Sequence, residues 1–206
     1  TQGPLNLCIT VFGEVPPGHA LLRSGARAGD DLYVSGTLGD ARLALEVFRG
    51  TRSLPQQAFD AARARMEMPT PRVALGLALR GVATAAADIS DGLVGDLGHI
   101  LQASRVGASV DTSVAINLIA NKDPITLGNG QFDAEMALEC VLAGGDDYEL
   151  VFTAPASARA AVQAASAQTQ TPVTRIGRIE DTPGLRLLDA QGCLRPQRYA
   201  AFDHFA

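Results

Sequence analysis

The sequence is short of cysteine, positive charge and long apolar runs, and each shortage excludes a class of protein. Its three cysteines, Cys8, Cys140 and Cys193, are widely spaced without a CxxC pair, which argues against a disulfide framework or a zinc knuckle. A reduced, cytoplasmic compartment is therefore expected. The net charge of −5 leaves no electrostatic footprint for nucleic acid or anionic lipid. The apolar runs fall far short of the ~20 residues of a membrane helix.

An initiator methionine is also missing, because the chain begins Thr1-Gln2-Gly3-Pro4 and runs straight into a strand pattern. We therefore expect it to be cut from a longer protein. The 206 residues are 47% hydrophobic and 19% charged, an ordinary globular composition that suffices for one large domain or two small ones. The break at Pro16-Pro17-Gly18 predicts that residues 1–18 belong to a different unit from residues 19–206.

Strand and helix patterns alternate along the chain. Runs rich in β-branched residues predict strands, and apolar residues at helical spacing predict helices. The predicted strands are residues 5–15, 32–35, 82–87, 106–110, 148–153, 173–179 and 185–188; the predicted helices are 41–48, 56–66, 72–79, 93–101, 132–142 and 155–167. Residues 117–131 are predicted to form a loop. The order is not a strict βαβ repeat, so it favours an α/β (α+β-like) fold with a mixed β-sheet flanked by helices.

Residues 87–93 (ADISDGL) place two carboxylates and a hydroxyl between a strand and a helix. The start of a helix favours phosphate, whereas Asp88 and Asp91 would repel phosphate unless a cation lay between them. The combination predicts a magnesium–phosphate site. Helix capping is the alternative for Ser90 and Asp91, but it gives no reason for Asp88 at the end of an apolar strand. Asp96, a turn further on, faces either the same way or solvent.

Residues 144–150 (GGDDYEL) crowd three carboxylates between a helix and a strand. Strand alternation would put Asp147 and Glu149 on one side, and Asp146 and Tyr148 on the other. The glycines let the backbone approach a ligand. The pattern fits a ligand site and equally a helix C-cap followed by a solvated acidic turn.

Two weaker features lie near the ends of the chain. The guanidinium of Arg23 can grip a phosphate in a bidentate manner, although a lone arginine is more often only solvated. The tail, residues 202–205 (FDHF), supplies an aromatic ring that could stack on a flat cationic ligand or anchor the C-terminus to the core.

Taken together, these motifs resemble the thiamine-monophosphate kinases, in the superfamily of aminoimidazole ribonucleotide synthetase. Residues 23–26 (RSGA) and 31–37 (DLYVSGT), the two acidic motifs and the tail follow in the family's order. The resemblance implies a two-domain α/β enzyme, dimeric through its N-terminal domains, that uses ATP and several Mg²⁺ ions to phosphorylate thiamine monophosphate to thiamine diphosphate. Residues 1–18 would be the final strand of a truncated N-terminal ATP-binding domain, and the fragment would be inactive alone.

The resemblance also implies roles for particular residues. The positions that match functional residues of the family are Asp88 and Asp91 for magnesium, Arg23 and Ser90 for ATP, and Asp146 and Phe202 for thiamine monophosphate. Relatives often carry Glu at position 146, so Asp146 has a shorter reach. The alternatives are another ATP-using enzyme of the superfamily, or a non-catalytic domain that binds divalent cations or a partner.

Overall fold

The computed structural model of the chain describes residues 3–4, 7–120, 134–196 and 198–199. Within these residues the strands are β1 (Asp31–Ser35), β2 (Ala85–Ile89), β3 (Gly107–Asp111), β4 (Glu149–Ala154), β5 (Val173–Glu180) and β6 (Gly184–Leu188). The helices are α1 (Asp40–Phe48), α2 (Gln56–Glu67), α3 (Val73–Ala78), α4 (Leu93–Ser104), α5 (Thr112–Ala115), α6 (Ala134–Ala143) and α7 (Arg159–Thr169). Short 3₁₀ turns follow α5 and precede α7.

The strands form one sheet in the order β2-β4-β1-β5-β3-β6. Neighbours run antiparallel except β3 and β6, which are parallel. The prediction of a mixed sheet flanked by helices is confirmed. None of the helices in the described part of the chain is long and apolar enough to cross a membrane.

Both faces of the sheet are covered by helices, as the alternation of side chains along β1 requires. Leu32 and Val34 face the larger apolar cluster, which also contains residues of α1, α4 and α6. Tyr33 faces the opposite way and stacks on Phe152, with ring centroids 5.2 Å apart, in a smaller cluster with α3 and α7.

The boundaries of β2 differ from the predicted 82–87. The N–H groups of Val82 and Ala83 donate to the Leu79 carbonyl and so complete the end of a helical turn. The strand instead extends to Asp88 and Ile89, which pair with β4. Asp88 therefore lies within the strand and not after it.

The strand predicted at residues 5–15 is not formed by the described residues 7–15. This segment leaves Leu7, Ile9, Val11 and Phe12 exposed, and it makes no ladder with any described strand. A strand needs a neighbour to satisfy its backbone groups, and an alternating sequence cannot supply one. The assignment of residues 1–18 to a preceding domain stays a prediction. Most of the predicted loop 117–131 lies outside the described residues.

A buried ion-pair network fixes the start of β4. The Glu149 side chain is fully buried and accepts hydrogen bonds from Arg65 Nη2 at 2.9 Å, Arg72 Nε at 2.6 Å and Ser35 Oγ at 2.6 Å. Arg65 lies on α2 and Arg72 just before α3, so this one carboxylate ties both segments to the centre of the sheet.

We expect Glu149→Ala to lower the free energy of unfolding by about 3–5 kcal/mol, because it leaves two mostly buried guanidinium groups without their carboxylate partner. Urea denaturation monitored by circular dichroism measures the change. Glu67→Ala is the matched control, since the Arg63–Glu67 pair on α2 is about half exposed and should contribute less than about 1 kcal/mol. Equal losses in the two variants would contradict the role of the network.

Candidate functional site

The two acidic motifs lie side by side at one end of the β2–β4 pair. The Asp146 N–H donates to the Ser90 carbonyl at 2.9 Å, and the Tyr148 N–H donates to the Ile89 carbonyl at 2.9 Å. The loop between β2 and α4 is thereby joined to the loop between α6 and β4. Hydrogen bonding thus continues from the ladder into both loops and fixes their relative positions.

Glycines make this close approach possible. A Cβ atom at position 145 would lie 2.5 Å from the Ser90 carbonyl oxygen, closer than any real contact. Gly92 has φ 116°, and a Cβ atom there would lie only 3.0 Å from the backbone of Ala143. The glycines of both motifs therefore serve loop-to-loop contact.

Asp96 holds the first loop in place. Its carboxylate is buried, and Oδ2 accepts from the N–H groups of Ser90 at 3.0 Å and Asp91 at 3.1 Å. The pKa of Asp96 is raised, mainly by burial and also by the negative charges of Asp91 and Asp88. The N-cap residue of α4 is Gly92, so capping does not account for Ser90 or Asp91. Asp96 faces the loop and not solvent.

The second motif divides into an inner and an outer half, as alternation predicts. Asp147 and Glu149 are buried, whereas Asp146 and Tyr148 are exposed. Asp147 accepts from the Gly39 N–H at 2.7 Å at the start of α1, and burial raises its pKa to about 7. The alternative of a fully solvated acidic turn is wrong, since only the outer half meets solvent.

The predicted site residues line two neighbouring cavities. Arg23 and Asp88 line the larger one, of about 510 Å³, together with Tyr148. The smaller cavity, of about 160 Å³, is lined by the three other described candidates, Ser90, Asp91 and Asp146. The structure therefore brings all five together at one edge of the domain, in two groups. Phe202 lies outside the described residues.

Tyr148 lies between the two groups, since it lines the larger cavity and is close to Asp146 of the smaller one. Its pKa is raised by burial and then by the negative charges of Asp146, Asp91 and Asp88. Its hydroxyl also lies 3.4 Å from Asp146 Oδ1. The three carboxylates thus share one electrostatic environment around this ring.

Sequence reasoning missed two arginines of the smaller cavity, Arg42 on α1 and Arg49 directly after its last residue. Both are paired with Glu46, at 2.8 and 3.6 Å, and they place positive charge beside Asp91 and Asp146. They are seven residues apart, which puts them on one face of a helix. That spacing is the only feature of the sequence from which they could have been found.

The oxygens available at this edge suit magnesium held jointly with a phosphate ligand. Mg²⁺ is usually bound through one or two carboxylates together with substrate phosphates and water. Asp88 and Asp91 supply such a pair. Within the described ranges no group of three or more His, Cys, Asp and Glu side chains is placed to hold a metal ion.

The fold and this edge define the class of the protein, and the chain belongs to the family described as AIR synthase related protein, C-terminal domain, whose model matches residues 27–190. It is 40% identical over 209 residues to the thiamine-monophosphate kinase of Salmonella typhimurium and 38% identical over 208 residues to that of Escherichia coli K12. Each match covers 100% of this chain and 62% of the relative. The chain thus spans about three-fifths of the length of these curated relatives.

Solved structures give the same picture. The crystal structure of thiamine-monophosphate kinase from Stenotrophomonas maltophilia K279a matches with a TM-score of 0.73 and 44% identity, over 84% of this chain and 54% of that one. AaThiL complexed with AMPPCP and TMP matches with a TM-score of 0.71 and 30% identity, over 90% and 54%. The family resemblance and the fold class predicted from sequence are confirmed.

The raised pKa of Asp147 predicts a pH-dependent stability. Between about pH 4 and 7 the folded state holds a proton that the unfolded chain has released, so this residue makes the free energy of unfolding fall as pH rises, by up to ~1.4 kcal/mol per pH unit. Asp147→Asn keeps a carbonyl acceptor for the Gly39 N–H but does not titrate. We therefore expect its stability relative to wild type to increase steadily over this range.

Urea denaturation at several pH values measures this difference. Asp60→Asn on the exposed face of α2 is the control, and its difference from wild type should stay nearly constant with pH. A constant difference for Asp147→Asn as well would show that Asp147 is ionised throughout.

Proposed function

We propose that this chain is the C-terminal part of an ATP-dependent kinase that phosphorylates thiamine monophosphate to thiamine diphosphate. One observation carries the proposal: the end of β2 and the two joined loops gather Asp88, Ser90, Asp91 and Asp146 around two cavities. The names of the relatives, and the AaThiL complex with AMPPCP, an ATP analogue, and TMP, support this reaction over other ATP-dependent reactions of the superfamily.

The two cavities together accommodate the two substrates. Arg23, in the larger cavity, binds nucleotide phosphate, and Ser90 contacts the same phosphates from the smaller cavity. Asp88 and Asp91 would hold Mg²⁺, which would supply positive charge to neutralise phosphate. Asp146 contacts thiamine monophosphate, and Phe202 packs on its ring.

The chemistry requires positioning and charge neutralisation more than proton transfer. The acceptor is a phosphate oxygen of thiamine monophosphate, which is largely ionised near neutral pH because its second pKa is about 6. This oxygen forms a bond to the γ-phosphorus of ATP while the bond from that phosphorus to ADP breaks. Arg42 and Arg49 lower the repulsion between the two anions from the side of α1.

The rest of the proposed enzyme lies beyond these residues. We assign residues 1–18 to the end of an N-terminal domain that supplies further magnesium ligands and the dimer contact of the full-length enzyme. Cytoplasmic location is part of the proposal, and it agrees with the free thiols of Cys8, Cys140 and Cys193.

In the full-length protein we expect Asp88→Asn to lower turnover by roughly 100-fold or more, because it removes a charge that holds the neutralising cation. Chromatographic detection of thiamine diphosphate at saturating Mg²⁺ measures the loss. Asp60→Asn, the same change on an exposed helix face, should leave turnover unaltered. Near-wild-type turnover of Asp88→Asn would overturn its assignment.

We expect Asp146→Ala to raise the KM for thiamine monophosphate by roughly tenfold, because this substrate loses a hydrogen bond to a charged group. The KM for ATP should change little. Initial rates with each substrate varied in turn measure both constants. Equal rises in the two KM values would instead indicate that the loop has moved as a whole.

A further inference from the structure

A third cavity, of about 360 Å³, shares no lining residue with the two described above. It is formed by β1, β5, β3 and β6, on the face of the sheet that carries α7. Three arginines line it, Arg159, Arg175 and Arg178. Such a concentration of positive charge is unexpected in a chain of net charge −5.

An irregularity in β5 directs two of these arginines to the same side. Opposite β1, Leu32 pairs with Gly177 but Tyr33 pairs with Arg175, so Ile176 is unmatched. Regular alternation would send Arg175 and Arg178, three residues apart, to opposite faces. The extra residue at the bulge brings both side chains to the same face. Bulges often redirect side chains next to binding sites.

The burial of two isoleucines of β5, each one residue after an arginine, supports this arrangement. Ile176 and Ile179 are also three residues apart, and each is 1% exposed within the larger apolar cluster. The exposed Arg175 and Arg178 therefore both lie on the other face of the sheet.

A buried carboxylate holds two of the arginines in place. Asp31 accepts from Arg159 Nε at 2.6 Å and Nη2 at 2.9 Å, and from Arg175 Nη1 at 3.2 Å. The Asp31 side chain is 4% exposed, whereas those of both arginines are about half exposed. A guanidinium has five N–H donors, so each arginine keeps donors for a ligand, already oriented at little further cost in entropy.

Among the residues that line this cavity, positive charges outnumber negative ones. The Arg178 side chain makes no hydrogen bond or ion pair with any described residue. Asp111 caps α5, where its Oδ1 accepts from the Ser113 N–H at 2.9 Å. Three arginines against Asp31 and Asp111 leave a surplus of one positive charge (3 − 2 = 1). The cavity also borders the first turn of α7, whose dipole favours an anion.

We propose that this cavity binds a small phosphate-bearing anion, at a site separate from the candidate catalytic edge. The guanidinium groups match phosphate oxygens in geometry and charge. No magnesium is needed here, because the side chains themselves supply the positive charge.

Calorimetric titration of the full-length protein with inorganic phosphate and with AMP, both without Mg²⁺, tests the proposal. We expect saturable binding in wild type, and binding about tenfold or more weaker in Arg178→Ala, which loses charge-assisted hydrogen bonds. Stronger binding of AMP would indicate a phosphate monoester as the ligand, and equal binding would indicate free phosphate. Removing Arg178 leaves the pairs of Asp31 intact, so the variant should melt like wild type.

Arg63→Ala is the matched control, because it removes the same charge from the exposed face of α2 and should not weaken phosphate binding. Absence of saturable binding in wild type, or equal weakening in both variants, would overturn the proposal. Loss of binding in Arg23→Ala would overturn it too, since Arg23 lines the larger cavity of the catalytic edge and the loss would place the anion there. Magnesium-dependent nucleotide binding should survive Arg178→Ala, so the two sites are tested independently.

Discussion

The pairing of β2 with β4, and its continuation into the loops that follow β2 and precede β4, is the constraint on which the candidate site depends. Because the carbonyls of Ile89 and Ser90 accept from Tyr148 and Asp146, a shift in this pairing would move both acidic motifs relative to each other. Ion pairs with Arg65 and Arg72 hold Glu149, the first residue of β4, in place. The site is therefore positioned by the sheet, although its side chains lie mostly on loops.

The same arrangement explains how three neighbouring carboxylates are tolerated. Glu149 is neutralised by two guanidinium groups. Asp147 is buried at the start of α1, where a pKa of about 7 lets it carry a proton over much of the acidic range. Only Asp146 presents its charge to the cavity, so the outer surface of this motif carries less negative charge than its sequence suggests.

Much of the fold could be predicted from local pattern. The spacing of Leu93, Leu97 and Ile100 predicted α4, and alternation predicted which of the acids face inward. The predictions that were wrong, or that could not be made, concern contacts with distant parts of the chain, which a local pattern does not contain. The register of β2 is set by β4, residues 7–15 make no ladder with any described strand, and the bulge at Ile176 exists only relative to β1. The grouping of the site residues into two cavities depends on the same long-range contacts.

The candidate catalytic edge and the arginine cavity handle phosphate by opposite means. On the proposed mechanism, Asp88, Asp91 and Asp146 at the edge repel phosphate, so binding there would depend on a cation and would stop when the cation is removed. In the arginine cavity, Asp31 is already neutralised by Arg159 and Arg175, and the surplus charge attracts an anion directly. On these two proposals, a chain of negative net charge carries two phosphate sites, and only the one at the catalytic edge needs magnesium.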